Sequence, residues 1–181
     1  MVEPVTKAPS RLSKMIDLVL WAAVIGVLAL ALIPRGSGPN LGQPASSMDL
    51  PIITPQMTGE MRTIPGKLER PLLIKAFASW CGACRRDNSM LEDLQDAEKE
   101  GKLDVLAVSV DNRPAQALAA KTSWPIHAPV LHDTNGDFNR QYKVEVLPTY
   151  ILIGTDGRVK RVTSGTAGAS DIRAWLHASD E

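Results

Sequence analysis

Histidine and cysteine are scarce in this 181-residue chain, with three of the first and two of the second. Cys81 and Cys84 form one C-x-x-C, and neither a second C-x-x-C nor a paired His-x-x-x-His accompanies it, which leaves a four-ligand structural zinc site without its other half. The three histidines are His127, His132 and His177, and each reads as a surface or hydrogen-bonded histidine before it reads as a ligand. Neither sign of charge prevails: Lys and Arg number 20, Asp and Glu 20, and no long same-sign run exists. Nucleic acid is therefore not an expected partner. No G-x-G-x-x-G follows the first strong strand and no P-loop occurs, so the chain carries no dedicated nucleotide-cofactor motif.

What is present starts with "KAFASWCGACRRD", residues 75–87. Three readings of its cysteine pair compete: a redox centre, half of a metal site, or chance, and so close a spacing makes chance the weakest. "PLLIKAFAS", residues 71–79, is a dense apolar strand that runs into the cysteines, and "CGACRRDNSMLEDLQDAEKE" after it has Met90, Leu91, Leu94 and Ala97 at helical spacing, stopping at Gly101. A strand ending at Trp80 and a helix starting at the cysteines place Cys81 at a helix N-terminus, where unpaired N–H groups favour an anion. Its thiol pKa is expected below the ~8.5 of free cysteine, which makes Cys81 the nucleophile. Cys84, one turn on along the same face, becomes the resolving cysteine.

The N-terminal third reads as a sorting segment. Residues 15–33 form an apolar run interrupted only by Asp17, long enough at ~1.5 Å per residue to cross a bilayer. Lys7, Arg11 and Lys14 precede it against Glu3 alone, so residues 1–14 are expected in the cytoplasm and everything after Ile33 outside it. A cleaved signal ending near Ala29-Leu30-Ala31 is the competing reading; the length of the run and its continuation through Leu32 and Ile33 favour a retained anchor. Residues 34–49, rich in Pro, Gly and Ser, read as a flexible linker. The folded domain is expected over 50–181.

Within that domain "LPIIT" and "MRTI" read as a small hairpin, and "LDVLAVSVD" as a strand buried on both faces. "RPAQALAAKTS" reads as a helix with Pro114 in its first turn. "APVLHD" is a short strand, "FNRQY" a helical turn, and "TYILIGTDGRVKRVTS" a hairpin about Asp156-Gly157. "ASDIRAWLHA" closes as an amphipathic helix with Ile172, Trp175 and Leu176 inward. Alternating strands and helices followed by a hairpin predict an α/β domain, a mixed β-sheet with helices on both faces.

"FASWCGAC" and "VEVLPTYILIGTDGRV", in this strand–helix order, resemble the thioredoxin superfamily, and more narrowly its membrane-anchored TlpA-like branch of bacterial envelope thiol–disulfide oxidoreductases. The resemblance covers the chain from about Leu50 onward. It implies a thioredoxin-like fold, a redox-active Cys81–Cys84 pair with no further cofactor or metal, Pro148 as a cis-proline facing the disulfide, and Leu147 offering its backbone to an extended substrate strand. It also implies Trp80 beside the active site and Asp87 at a place where the branch usually has glutamate. Three residues depart from the pattern. Ser89 stands where a helix-kinking proline is common, which predicts a weaker kink; Ala83 replaces the proline next to the second cysteine. Lys75 occupies the position of a buried aspartate or asparagine.

Counting back from Cys81 in steps of two puts Ser79, Phe77 and Lys75 on one strand face, and the resemblance places that face under the cysteines. There the Lys75 ammonium would stabilise thiolates or, desolvated, act as a base for Cys84. The alternative is a frayed strand end with the ammonium in solvent.

The function expected from these readings is a periplasmic, inner-membrane-anchored thiol–disulfide oxidoreductase, leaning toward reduction, as in cytochrome c or copper-site maturation. Its partners would be disulfide- or thiol-bearing client proteins and a membrane or periplasmic thiol electron donor. Two alternatives are a copper metallochaperone using Cys81, Cys84 and a histidine such as His132, and a thioredoxin-fold recognition module with an idle C-x-x-C.

Overall fold

The computed structural model describes residues 17, 20–25, 41–124 and 126–179, without the side chains of Ala169 and residues 176–179. The chain divides into two units, residues 1–36 and 37–181. In the first, residues 20–25 are helical, with Leu20, Trp21, Val24 and Ile25 exposed. Most of the expected anchor 15–33, all of the tail 1–14 and residues 34–40 of the linker lie outside the described residues. Among the described residues no helix is long and apolar enough to cross a membrane.

The second unit is built on a five-stranded mixed sheet in the order β5-β4-β3-β6-β7. Its strands are β3 (Leu72–Phe77), β4 (Asp104–Ser109), β5 (Val130–His132), β6 (Thr149–Ile153) and β7 (Val159–Ser164). A separate antiparallel hairpin joins β1 (Met48–Pro51) to β2 (Met61–Ile64). β3 lies at the centre, parallel to β4 and antiparallel to β6. All six of its residues are buried, the reason an apolar run without alternation folds here as a strand. The edge strand β7 alternates more, as expected of a strand with one wet face.

Side chains of alternate parity build separate cores on the two faces. Leu72, Ile74 and Ala76 of β3 pack with Leu106, Val108, Ile151 and Phe138, the last from α5 (Asp137–Gln141). Leu73 packs with Met90, Leu91, Leu94, Tyr150 and Ile172 on the other face, and Phe77 with both cysteines, Ala117, Ala120 and Trp124. These residues bring in α1 (Gly82–Arg86), α2 (Ser89–Asp93), α3 (Gln95–Lys99), α4 (Pro114–Ser123) and α6 (Ala169–Ser179). The expected mixed sheet with helices on both faces is thus present. Within α6, Ile172 is buried and Trp175 packs against the core; Leu176 lies outside the described side chains.

Two expectations need correction. The single helix read over 81–100 is three short ones, α1 to α3, and it breaks at Asp87–Asn88 although Ser89 is not a proline. The cause lies below that break, at Lys75. The folded unit also starts before Leu50. The Gly42 and Ala45 N–H groups donate to the Val159 and Gly157 carbonyls at 2.7 and 2.8 Å, and the Tyr142 hydroxyl donates to the Ser46 carbonyl at 2.9 Å. Residues 41–49 are therefore laid onto the domain, where composition alone read a flexible tether.

Candidate active site

The pair at the end of β3 owes its geometry to a sharp change of backbone. Cys81 is the N-cap of α1 in an extended conformation, and its Sγ accepts from the Cys84 N–H at 3.0 Å. The two cysteines are joined, with Cα atoms 5.2 Å apart. Cys81 is 7% exposed and Cys84 is sealed, so an incoming thiol or disulfide reaches Cys81 first. That N–H favours negative charge at the Cys81 sulfur.

Trp80, immediately before the pair, is 71% exposed, so it is not a core tryptophan. Together with Asn112, Asn135, Glu145 and Leu147 it lines a cleft of about 510 Å³. The Leu147–Pro148 peptide is cis, as the resemblance implies. Leu147 packs against the cluster that contains both cysteines, and the Pro148 carbonyl is taken by the Gly165 N–H at 2.7 Å. Next to Leu147, Val146 is an exposed apolar residue at this rim.

Lys75 is fully buried in the middle of β3. That excludes the frayed-strand alternative. Its Nζ donates to the Cys84 carbonyl at 3.3 Å and the Asp87 carbonyl at 3.2 Å, at the last turn of α1, where helix carbonyls lack partners of their own. The Asn88 N–H bonds to the Arg85 carbonyl at 3.3 Å. A cation from the sheet thus ends the cysteine helix and permits a full break where Ser89, in place of a proline, predicts only a weaker kink. The ammonium also lies 5.7 Å from the centre of the Tyr150 ring, while the Tyr150 hydroxyl donates to Asp87 Oδ2. Desolvation lowers the Lys75 pKa from 10.5 to about 8, opposed by the Asp87 carboxylate. Burial, then the Asp87 hydrogen bond, pushes the Tyr150 hydroxyl far above the usual tyrosine range.

Asp111 and Tyr150 escaped the sequence reading. Asp111 is buried, and its carboxylate accepts from the Ser79 N–H at 2.9 and 3.0 Å, the Ser79 hydroxyl at 2.7 Å and the Ser109 hydroxyl at 2.8 Å. It fastens the loop that carries Trp80 and Cys81 to the end of β4. The signal was a carboxylate closing the apolar run "LDVLAVSVD" at the C-terminal edge of a parallel pair, where sites of α/β sheets are built. His132 stands in the same layer. One ring nitrogen lies 2.8 Å from the Asp111 carbonyl and the other 3.1 Å from Thr134 Oγ1, so both are engaged within the scaffold. His127 forms a 3.9 Å pair with Glu92 at the surface, and the side chain of His177 lies outside the described residues. Among the described residues no group of three or more His, Cys, Asp or Glu side chains is arranged to hold a metal ion.

A thioredoxin-like sheet that carries a reachable cysteine at a helix start and a sealed one a turn later defines a thiol–disulfide oxidoreductase, whose redox centre is the cysteine pair itself. The profile of the Redoxin family matches residues 66–176, and the chain belongs to that family. Among curated relatives it is 24% identical over 163 residues to the thiol-disulfide oxidoreductase ResA of Oceanobacillus iheyensis, covering 88% of this chain and 83% of that protein. It is 20% identical over 161 residues to the sporulation thiol-disulfide oxidoreductase A of Bacillus subtilis, covering 87% and 94%. The crystal structure of StoA from Bacillus subtilis superposes with a TM-score of 0.59 at 21% identity, over 73% of this chain and 98% of that one.

Proposed function

We propose that this protein is a membrane-anchored reductase of client-protein disulfides, with residues 1–14 in the cytoplasm, residues 15–33 in the bacterial inner membrane and the thioredoxin-like domain in the periplasm. The observation that carries the chemistry is the Cys84 N–H aimed at Cys81 Sγ at 3.0 Å, with Cys81 reachable and Cys84 sealed. In the reduced protein the Cys81 thiolate attacks one sulfur of a client disulfide, and the other sulfur leaves as a thiolate that takes up a proton. Cys84 then loses its proton and attacks Cys81 Sγ of the mixed disulfide. The client's second sulfur leaves and is protonated, and the protein is left with the Cys81–Cys84 bond. Two electrons and two protons have passed to the client. A thiol electron donor at the membrane or in the periplasm reverses these steps to reset the pair.

Trp80 and the Leu147–Pro148 segment form the rim on which an extended client strand would lie. Support for the placement comes from the basic excess before the apolar run and its length. Support for the direction comes from the resemblance to TlpA-like proteins, which points to cysteines reduced during cytochrome c or copper-site assembly.

Cys84→Ala is expected to accumulate mixed disulfides with periplasmic proteins, and Cys81→Ala to accumulate almost none; equal trapping by both would overturn the roles. A reporter active only in the periplasm, fused after Glu181, should work and should fractionate with membranes. A soluble product beginning near Leu32 would convert the anchor into a cleaved signal.

A further inference from the structure

A lysine in the centre of a buried strand is an expensive placement, since an ammonium taken out of water must be compensated where it lies. Lys75 is compensated by two carbonyls, and one of them belongs to Cys84, the cysteine that must ionise for the mixed disulfide to resolve. Its neighbours across the sheet are Ala107 on β4 and Tyr150 on β6. The ionisable groups that face it are Asp87 at the end of α1, Tyr150, and Cys84 itself once the pair is reduced. Arg85 and Arg86 on α1 are exposed. α2, α3 and the residue between them turn Met90, Leu91, Leu94 and Ala97 into the core on this face.

We propose that Lys75 is a positioning residue for the resolving half of the reaction: its ammonium, clamped on the Cys84 and Asp87 carbonyls, holds the end of α1 against the sheet and favours the thiolate of Cys84 over its thiol. The proposal rests on the disulfide-exchange reading above and deepens it. Resolution then proceeds with the Cys84 proton going to water, the thiolate bonding to Cys81 Sγ, and the client sulfur leaving with the electron pair. Asp87 and Tyr150 keep the cation in register, Asp87 by its charge and Tyr150 by orienting that carboxylate. The lowered Lys75 pKa, about 8 in the disulfide form, gives the device a working range. The amine is mostly charged at neutral pH, and its help is lost as pH rises beyond about 8.

The test uses full-length wild type, Lys75→Met, and Lys75→Gln, which keeps N–H donors for the carbonyls and removes the charge. Cys81 is first converted to its mixed disulfide with glutathione, and release of glutathione by Cys84 is timed from acid to alkaline pH. Lys75→Met and Lys75→Gln are both expected to resolve about tenfold more slowly than wild type at pH 7, the equivalent of one unit in thiol pKa, and the gap should close above about pH 9. Wild-type rates in Lys75→Gln, or an unchanged pH profile in a folded Lys75→Met, would overturn the proposal and leave Lys75 a structural clamp. A nitrogen-15 titration of Lys75 in the wild type needs no variant to fold. Coupling between two sites is reciprocal, so the Lys75 pKa must be higher in the dithiol than in the disulfide form, and equal values would also overturn it. A wild type in which glutathione never attaches to Cys81 would instead remove the disulfide-exchange reading on which the proposal stands.

Discussion

At the level of single residues, two buried charges hold the cysteines, one from each side. Asp111 ties down the approach to Cys81 through Ser79, and Lys75 ties down the exit from Cys84. Asp111→Asn keeps the size and leaves one acceptor oxygen where there were two. It should cost roughly 1–3 kcal/mol of stability, the usual penalty for a buried hydrogen-bond partner lost, and slow the attack by Cys81 several-fold. Unchanged urea unfolding together with an unchanged exchange rate would contradict the role assigned to Asp111.

Lys75 makes a prediction of opposite character. Its pKa is depressed from 10.5 to about 8 in the folded disulfide form, so between those values the unfolded chain binds the proton that the native chain has released. Stability therefore rises with pH across that window, by up to about 3 kcal/mol from this group. Below pH 8 both states are protonated and the burial penalty stands in full. The tyrosines act the other way, since Tyr142 and Tyr150 keep their protons in the fold beyond the pH at which unfolded tyrosines ionise, and stability falls above about pH 10. Unfolding of the oxidised protein, followed from pH 7 to 10 in wild type and Lys75→Met, should show the rise only in wild type. Parallel curves would contradict it.

Among the elements, the strands were legible and the helix and the boundary were not. β3, β4 and β6 are apolar runs that burial on both faces explains, and the Asp156-Gly157 turn announces the last hairpin. The segment after Cys84 reads as one continuous helix because Met90, Leu91, Leu94 and Ala97 keep the helical period. What makes its first break, at Asp87–Asn88, is the ammonium of Lys75 twelve positions before Asp87, which leaves no trace in that period. Residues 41–49 misled by composition: Pro, Gly and Ser suggested a tether, yet their backbone supplies the missing edge partner of the β6–β7 hairpin, including the Gln43 carbonyl that accepts from Val159 at 3.0 Å. A chain starting at Ser47 should thus unfold at lower denaturant than one starting at Leu41, by roughly 2 kcal/mol for several lost hydrogen bonds of about 0.5–1.5 kcal/mol each. Identical unfolding curves would return these residues to the linker.

For the molecule as a whole, the cysteine pair could be found in the sequence because its chemistry needs a short, fixed spacing at a strand-to-helix junction. Lys75 could be placed beneath it by strand alternation and resemblance, whereas Asp111 and Tyr150 could not, since they reach the site from strands distant in the chain, and only the sheet order β4-β3-β6 sets them beside Ser79 and Asp87. All these contacts serve one claim, that the Cys81–Cys84 bond is there to be exchanged and not to hold the fold. The most direct check is to equilibrate the purified protein with graded ratios of reduced and oxidised glutathione or dithiothreitol at pH 7 and count free thiols. A single reversible two-electron transition is predicted, with Cys81 as the only cysteine found transiently joined to the buffer thiol. A bond that stays closed to every reductant until the protein unfolds would show a structural disulfide and contradict the claim.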